Sequence, residues 1–521
     1  MSKDNNRSEK RFHLLPESNL LLAVVLVVIF AELIFMLFVL ALDVLPFKYV
    51  MAVIIAILVF DLITFLLLGC RGKHTVKRII GLILVMFMLQ FLLVGDYYVY
   101  STYDTLQKIS KRQATWEVYR VMTLKDGSYN TVEDIEGLEV NCVDMYSKQL
   151  IEAKERLVTK ESVIYDEEKS PIDVAHNLLD DDGDTHDGII LVSNTSLGVI
   201  KENIKGFGKA TKTIYKIKVK KRANDTSKAV DVTEDSFNVL ISGRDFWGKI
   251  DDVSGLSDVN MIMTVNPKTR EVLLTSIPRD SYIPFHSYGM RDKLTHTGIY
   301  GEEETKATLE DYFGIDINYT IALNFSMLED IVDAIDYIEV YNDQAFTSAI
   351  KDYYYPEGKI TLKGKHAVYF ARERKSFLDG DMKRNKNQQK VLKATIKKVT
   401  SSKVILTRYT KILNAVEDEM RTDMTDKDLK KLAKMQLRDM HKWTIHTANI
   451  VGPTGSAPCF SMGGQELSCV FPTDESLQEC KEAIHDTMYP VDNTKKKNEK
   501  KKTDTEKDSK DNKDKKDKDS E

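Results

Sequence analysis

Residues 368–389 read VYFARERKSFLDGDMKRNKNQQ. An apolar start gives way to Arg372, Arg374, Asp381, Arg384 and Gln388. Read as a strand, VYFARER puts Arg372 and Arg374 on one face, because strand side chains alternate. Read as a helix, MKRNKNQQKVLKATI begins near Asp381 and spaces Asp381, Arg384 and Gln388 three and four apart, on one face. A strand turning into a helix then aims guanidiniums, a carboxylate and an amide at one place. That set suits a phosphorylated ligand better than a packed core.

Working outward, charged residues recur at the ends of predicted strands. FNVLI (237–241) runs into Asp245, Asp258 precedes a strand over 260–265, and the strand at 272–277 ends at Arg279. Further strands are expected at 337–340, 443–451 and 459–471, with helices at 308–313, 325–335, 412–441 and 476–488. In an open α/β sheet ligands collect at strand ends. Arginines there suit phosphate oxygens, but aspartates repel them unless a cation intervenes. The mixture therefore points to a Mg²⁺-bound diphosphate, against the alternative of ordinary surface salt bridges.

The rest of the chain sets the location. Apolar runs at 20–42, 49–68 and 79–94 are each long enough to cross a bilayer, and the last is extended by Tyr97, Tyr98 and Tyr100. Lys3, Arg7, Lys10 and Arg11 precede the first run, and Arg71, Lys73, Lys77 and Arg78 lie between the second and third. Positive charge stays cytoplasmic, so residues 1–19 are expected inside and everything after about 101 outside. The short inner segments leave no room for a folded DNA-binding or kinase domain, and the net charge of −5 gives no nucleic-acid signature. Glu32 and Asp61 lie at membrane depth, where pairing with each other weighs more than an ion-linked role.

Residues 101–235 read as a polar stalk, a small α/β accessory domain and a linker from about 220. Strands are expected near 137–143, 162–165, 188–192 and 213–219, with helices near 147–158, 171–179 and 196–207. The acidic run Asp180–Asp187 lacks EF-hand spacing and reads as a solvated loop. The charged tail after 491 has almost no apolar residue and is expected to be disordered. None of the five cysteines forms a CxxC pair, so spacing predicts no zinc site. Cys459 and Cys469 are either bridged across a hairpin or two buried thiols.

NVLISGRD (238–245), SDVNMIMTVNP (257–267), SIPRDS (276–281), KLTH (293–296) and FARERKSFLDGDMKRNKNQQ (370–389), in this order, resemble the LytR-CpsA-Psr family over about residues 236–490. The three apolar runs and small domain before them are similar to its CpsA-like subgroup. One departure is Thr295, where many members carry Asn. The resemblance implies a catalytic α/β domain with a central mixed sheet flanked by helices. It also implies a pyrophosphate and metal site. Arg279, Arg372, Arg374 and Asp381 would be catalytic, Lys293, Arg384 and Gln388 would bind substrate, and Asp245 and Asp258 would hold Mg²⁺ (or Mn²⁺). Members transfer a glycopolymer, of capsular-polysaccharide or teichoic-acid type, from a polyprenyl-diphosphate carrier to peptidoglycan. The implied partners are that carrier, peptidoglycan, the membrane and wall or capsule assembly proteins, with no nucleic acid. The alternatives are a hydrolase of the same diphosphate and a non-catalytic membrane regulator. A lipid slot would draw on Ile321, Leu323, Phe325, Leu328, Ile331 and Val332, for each of which core packing is the weightier reading.

Overall fold

A computed structural model describes residues 19–68, 75–110, 115–144, 147–168, 170–221, 227–244 and 256–490. Helices α1 (Asn19–Leu42), α2 (Phe47–Leu68) and α3 (Thr75–Ser110) form the apolar N-terminal bundle, and all three are long and apolar enough to cross a membrane. The carboxyls of Glu32 on α1 and Asp61 on α2 are neighbours in the bundle. The predicted stalk is the end of α3, whose Ile109 enters the core of the C-terminal region.

Next come β1 (Thr115–Leu124), β2 (Glu139–Val143), α4 (Lys148–Lys160), β3 (Ile164–Glu168), α5 (Pro171–His176), β4 (Ile190–Ser193), α6 (Asn194–Asn203), α7 (Phe207–Ala210) and β5 (Thr211–Lys221). They make a five-stranded mixed sheet in the order β3-β2-β4-β1-β5. Ser147, Ser170 and Ser193 each cap a helix by accepting from a backbone N–H of its first turn. Leu150, Ala153 and Leu157 of α4 pack on one face of the sheet, and Ile172, Ala175, Leu197 and Ile200 on the other. β1 is missing from the sequence reading. Covered on both faces, it carries no clean alternation of apolar and polar residues.

The remainder comprises β6 (Phe237–Arg244), β7 (Val259–Asn266), β8 (Glu271–Ile277), β9 (Tyr282–Pro284), β10 (Arg291–Lys293), α8 (Thr297–Tyr300), α9 (Glu302–Phe313), β11 (Tyr319–Asn324) and α10 (Phe325–Ala334). It continues through β12 (Ile338–Asn342), β13 (Phe346–Thr347), β14 (Tyr354–Tyr355), β15 (Gly358–Leu362), α11 (Gly364–Arg372), α12 (Gly380–Val399) and α13 (Ser402–Glu417). It closes with β16 (Met420–Thr422), α14 (Asp426–Asp439), β17 (Thr444–Asn449), β18 (Thr454–Cys459), β19 (Gln465–Val470) and α15 (Asp474–Met488). The main sheet is six-stranded and mixed, in the order β16-β11-β6-β7-β8-β17. β6 pairs parallel with β11 and antiparallel with β7, and β8 pairs parallel with β17. Leu309, Phe313 and Ile484 pack on one face, while Leu392 and Ile396 of α12 approach the other.

Several expectations need correcting. Val368–Arg372 is the end of helix α11, not a strand. Ala367, Val368, Phe370 and Ala371 are all buried, a three-and-four pattern that so short an apolar run cannot distinguish from a strand. The expected single helix over 412–441 is α13 and α14 with β16 between them. The described part of the supposed linker, 227–235, is anchored: Val232 is fully buried against the sheet, and Lys228 N–H donates to Asn318 at 2.9 Å. Of the supposed slot residues, Phe325, Ile331 and Val332 are buried, with Ile331 and Val332 in the core; Ile321, Leu323 and Leu328 are half-buried. Cys459 and Cys469 are free, buried thiols.

Candidate functional site

Sheet direction gathers the site. β6, β8 and β11 end at the edge where antiparallel β7 begins, so Asp258, Arg279 and Phe325 meet there. Asp258 N–H donates to Gly243 O at 2.9 Å, and Ser257 Oγ bonds Val259 O at 2.8 Å, locking the entry to β7. Thr295 N–H donates to Arg279 O at 2.8 Å and its hydroxyl to Ser257 O at 3.0 Å. Thr295 thus tethers Arg279 to the residue that precedes Asp258.

The opening stretch arrives from across this edge. α11 ends at Arg372, and Glu373 adopts an extended backbone that swings Arg374 onward. Glu373 is buried and accepts from Ser348 Oγ and Ala349 N, both at 2.7 Å, and from Ser376 N at 3.1 Å. Burial raises its pKa, but these hydrogen bonds outweigh it and hold the carboxyl below the usual glutamate value. The chain then turns at Gly380, where a Cβ would stand 2.6 Å from Arg374 O. α12 follows, pinned to the sheet by Gln389 Nε2, which donates to Leu274 O at 3.0 Å and Ala448 O at 2.7 Å.

The result is a cleft of about 360 Å³ lined by Asp258, Arg279, Phe325, Arg372, Arg374, Lys375, Arg384 and Gln388, among others. Arg279 is ion-paired to Asp258 through Nη1 and lies 3.6 Å from Asp280 Oδ2 through Nε. Arg372 stands 5.0 Å over the Phe325 ring. Asp381 contacts Arg384 at 3.1 Å and Arg374 at 3.8 Å. Burial pulls the Arg384 guanidinium below its ordinary pKa, against Asp381 and with the help of the Arg279 and Arg374 charges. Arg384 Nε and Gln388 Nε2 are buried and make no hydrogen bond among the described residues. Unmade bonds on such groups cost about 1–3 kcal/mol each, more for a charged one. An anion in the cleft would supply the acceptors and relieve the crowding of positive charge.

A profile of the LytR_cpsA_psr family matches residues 204–485. The chain belongs to that family. An Enterococcus faecalis protein named polyisoprenyl-teichoic acid–peptidoglycan teichoic acid transferase TagU is 32% identical over 249 residues, covering 47% of this chain and 80% of its own length. The protein of the same name from Bacillus mycoides is 31% identical over 243 residues, covering 46% and 77%. The crystal structure of protein gbs0355 from Streptococcus agalactiae is 26% identical with a TM-score of 0.43, covering 50% of this chain and 91% of that one.

Within the LytR_cpsA_psr region, Asp258, Arg279, Arg372, Arg374, Arg384 and Gln388 line one cleft, and Asp381 borders it through Arg374 and Arg384. Arg372 and Arg374 reach it from a helix end, not a strand. Lys293 joins at one remove: its Nζ lies 3.2 Å from Asp280 Oδ1, and Asp280 faces Arg279. Asp245 lies outside the described residues. The sequence reading overlooked Glu373, Asp280 and Lys375. Each stands beside a chosen residue inside a quoted motif, so its charge was visible, but only the structure shows where it points.

Proposed function

We propose that the chain is an extracytoplasmic phosphotransferase that attaches a glycopolymer, of teichoic-acid or capsular type, to peptidoglycan from a polyprenyl-diphosphate carrier. The observation that carries this reading is the pair of buried, unbonded donors, Arg384 Nε and Gln388 Nε2, in a cleft also lined by Arg279, Arg372 and Arg374. Kinship with proteins named as teichoic acid transferases supports the polymer class.

In this mechanism the arginines clamp the diphosphate and stabilise charge as an acceptor hydroxyl attacks the phosphorus next to the polymer. The new phosphodiester forms as the bond to polyprenyl phosphate breaks, and the hydroxyl proton leaves to solvent or base. Asp381 holds Arg374 and Arg384 in place, and Gln388 orients a phosphate oxygen. Lys293 steers Arg279 through Asp280.

The Asp258 carboxylate in the cleft is a hard oxygen donor, which fits Mg²⁺ (or Mn²⁺); Asp245, outside the described residues, would serve as a second ligand to it. Such an ion would neutralise phosphate charge. Purified full-length protein in detergent is the test, given lipid-linked polymer with and without peptidoglycan acceptor. Arg372→Ala or Arg374→Ala should abolish attachment while the protein stays folded, and normal attachment by either variant overturns the site. Chelation should stop the reaction and added Mg²⁺ or Mn²⁺ restore it. Lipid diphosphate cleavage at equal rate without acceptor would mark a hydrolase instead.

A further inference from the structure

Behind the cleft lies a second cluster that the transfer reaction does not use. Along β10 neighbouring side chains point to opposite sides. Lys293 faces Asp280, and Asp292 turns inward, with no exposed surface. Four residues on, His296 shares its face, with Nδ1 2.7 Å from Asp292 Oδ1. Cys459, at the end of β18, completes a trio whose ligand atoms all lie within 4.8 Å of one another and whose members are all buried. Cys469 lies on the partner strand β19, where its buried thiol bonds Leu467 O at 3.3 Å. Both thiols are free.

A carboxylate, an imidazole and two thiols in one buried space are a donor set with a definite preference. Zinc takes oxygen, nitrogen and sulfur ligands together in tetrahedral sites, whereas magnesium and calcium avoid sulfur. A thiol is a weak hydrogen-bonding group, so packing alone gives no reason to place the Cys459 thiol against the buried Asp292–His296 pair. The surroundings also supply a supporting shell. Asp292 Oδ2 accepts from Ser461 N at 2.8 Å, Asp292 Oδ1 accepts from Lys293 N at 2.6 Å, and Ser461 Oγ lies 3.0 Å from His296 Nδ1.

We propose that Asp292, His296 and Cys459, with Cys469 turning in as the fourth ligand, bind a structural zinc ion. CxxC spacing does not reveal such a site, because its ligands come from Asp292, from His296 of the KLTH segment and from both strands of a distant hairpin. The ion would staple three pieces together: the strand carrying Lys293, the β18–β19 hairpin, and the accessory domain, whose Ile172 and Phe207 pack in the same apolar cluster as Cys459, Met462 and Phe285. Binding would release the two thiol protons to solvent. The site is independent of the transfer chemistry and stands or falls without it.

The test is the full chain purified in detergent under reducing conditions, with metal content measured by mass spectrometry. Stoichiometric zinc is expected, lost in His296→Ala and Cys459→Ser and kept in Cys142→Ser, which alters a buried thiol elsewhere. Asp292→Asn, a near-isosteric change, should lose zinc as well, and circular dichroism checks that each variant is folded. Replacing zinc by Co²⁺ should give a thiolate-to-metal charge-transfer band in wild type that Cys459→Ser lacks. Folded wild type with neither zinc nor that band overturns the proposal and leaves a buried Asp–His pair. So does a Cys459–Cys469 disulfide mapped in protein isolated without reductant.

Discussion

Glu373 separates two cleft arginines, and its own work is structural: it ties the 348–350 loop and Ser376 to the end of α11. Its folded pKa lies below the ordinary value, so the ionised form is the stabilising one. That contribution is present above the ordinary glutamate pKa and lost as pH falls through the lower folded value. Glu373→Gln should therefore lower the melting temperature at neutral pH, and the gap to wild type should close under acid conditions. Thermal melts of both proteins across pH check this, and a constant gap would remove the charge from the explanation. Arg384 acts on the ligand itself. Arg384→Ala should cut turnover by roughly 10²–10³-fold, the usual effect of removing one donor aimed at developing charge. Arg384→Lys should recover little of it, since a point charge cannot reproduce the guanidinium fork. Steady-state rates on lipid-linked polymer decide both.

The decisive element is the α11–turn–α12 unit. α11 presents Arg372 at its end, α12 presents Asp381, Arg384 and Gln388 along one face, and the turn between them passes close enough to Arg374 to require glycine. A methyl group at Gly380 must push the Arg374 backbone aside. Gly380→Ala should cost about 1–3 kcal/mol of stability, as overpacking does, and lower turnover further than the melting shift alone explains. Denaturation and kinetics on the same preparation separate the two effects. The spacing of this stretch announced a shared face on α12 directly. It announced the convergence of Arg372 and Arg374 for the wrong reason, since a helix end followed by one extended residue does what a strand was expected to do.

At the scale of the whole molecule, the C-terminal region rests on the membrane bundle. Tyr409 OH donates to Thr102 Oγ1 at 2.8 Å, Lys434 pairs with Asp43 at 2.6 Å, and Lys48 donates to Arg438 O. The α1–α2 connection and α14 therefore lie on one side of the apolar bundle. Such surface contacts are individually weak, but together with buried Ile109 they fix the sheet near the bilayer, where a lipid carrier must be met. If the positive-charge asymmetry sets orientation, a cysteine at Lys216 in a cysteine-free background should react with an impermeant maleimide on intact cells. A cysteine within residues 1–19 should react only after lysis. The reverse pattern would place the cleft in the cytoplasm and end the wall-polymer reading.

The apolar spans, much of the alternation of strands and helices, and the shared helix face of Asp381, Arg384 and Gln388 were legible in the sequence alone. These are local properties: hydropathy, periodicity and side-chain chemistry are written residue by residue. Only the tertiary structure decided that β1 and β11 are central strands, that α11 delivers Arg372 and that Glu373 braces it. It alone brings Asp292, His296 and Cys459 together, with Cys469 on the neighbouring strand. Those outcomes depend on what packs against each segment, and burial on both faces erases the alternation that marks a strand. Contacts between residues far apart in the chain leave no trace in local spacing.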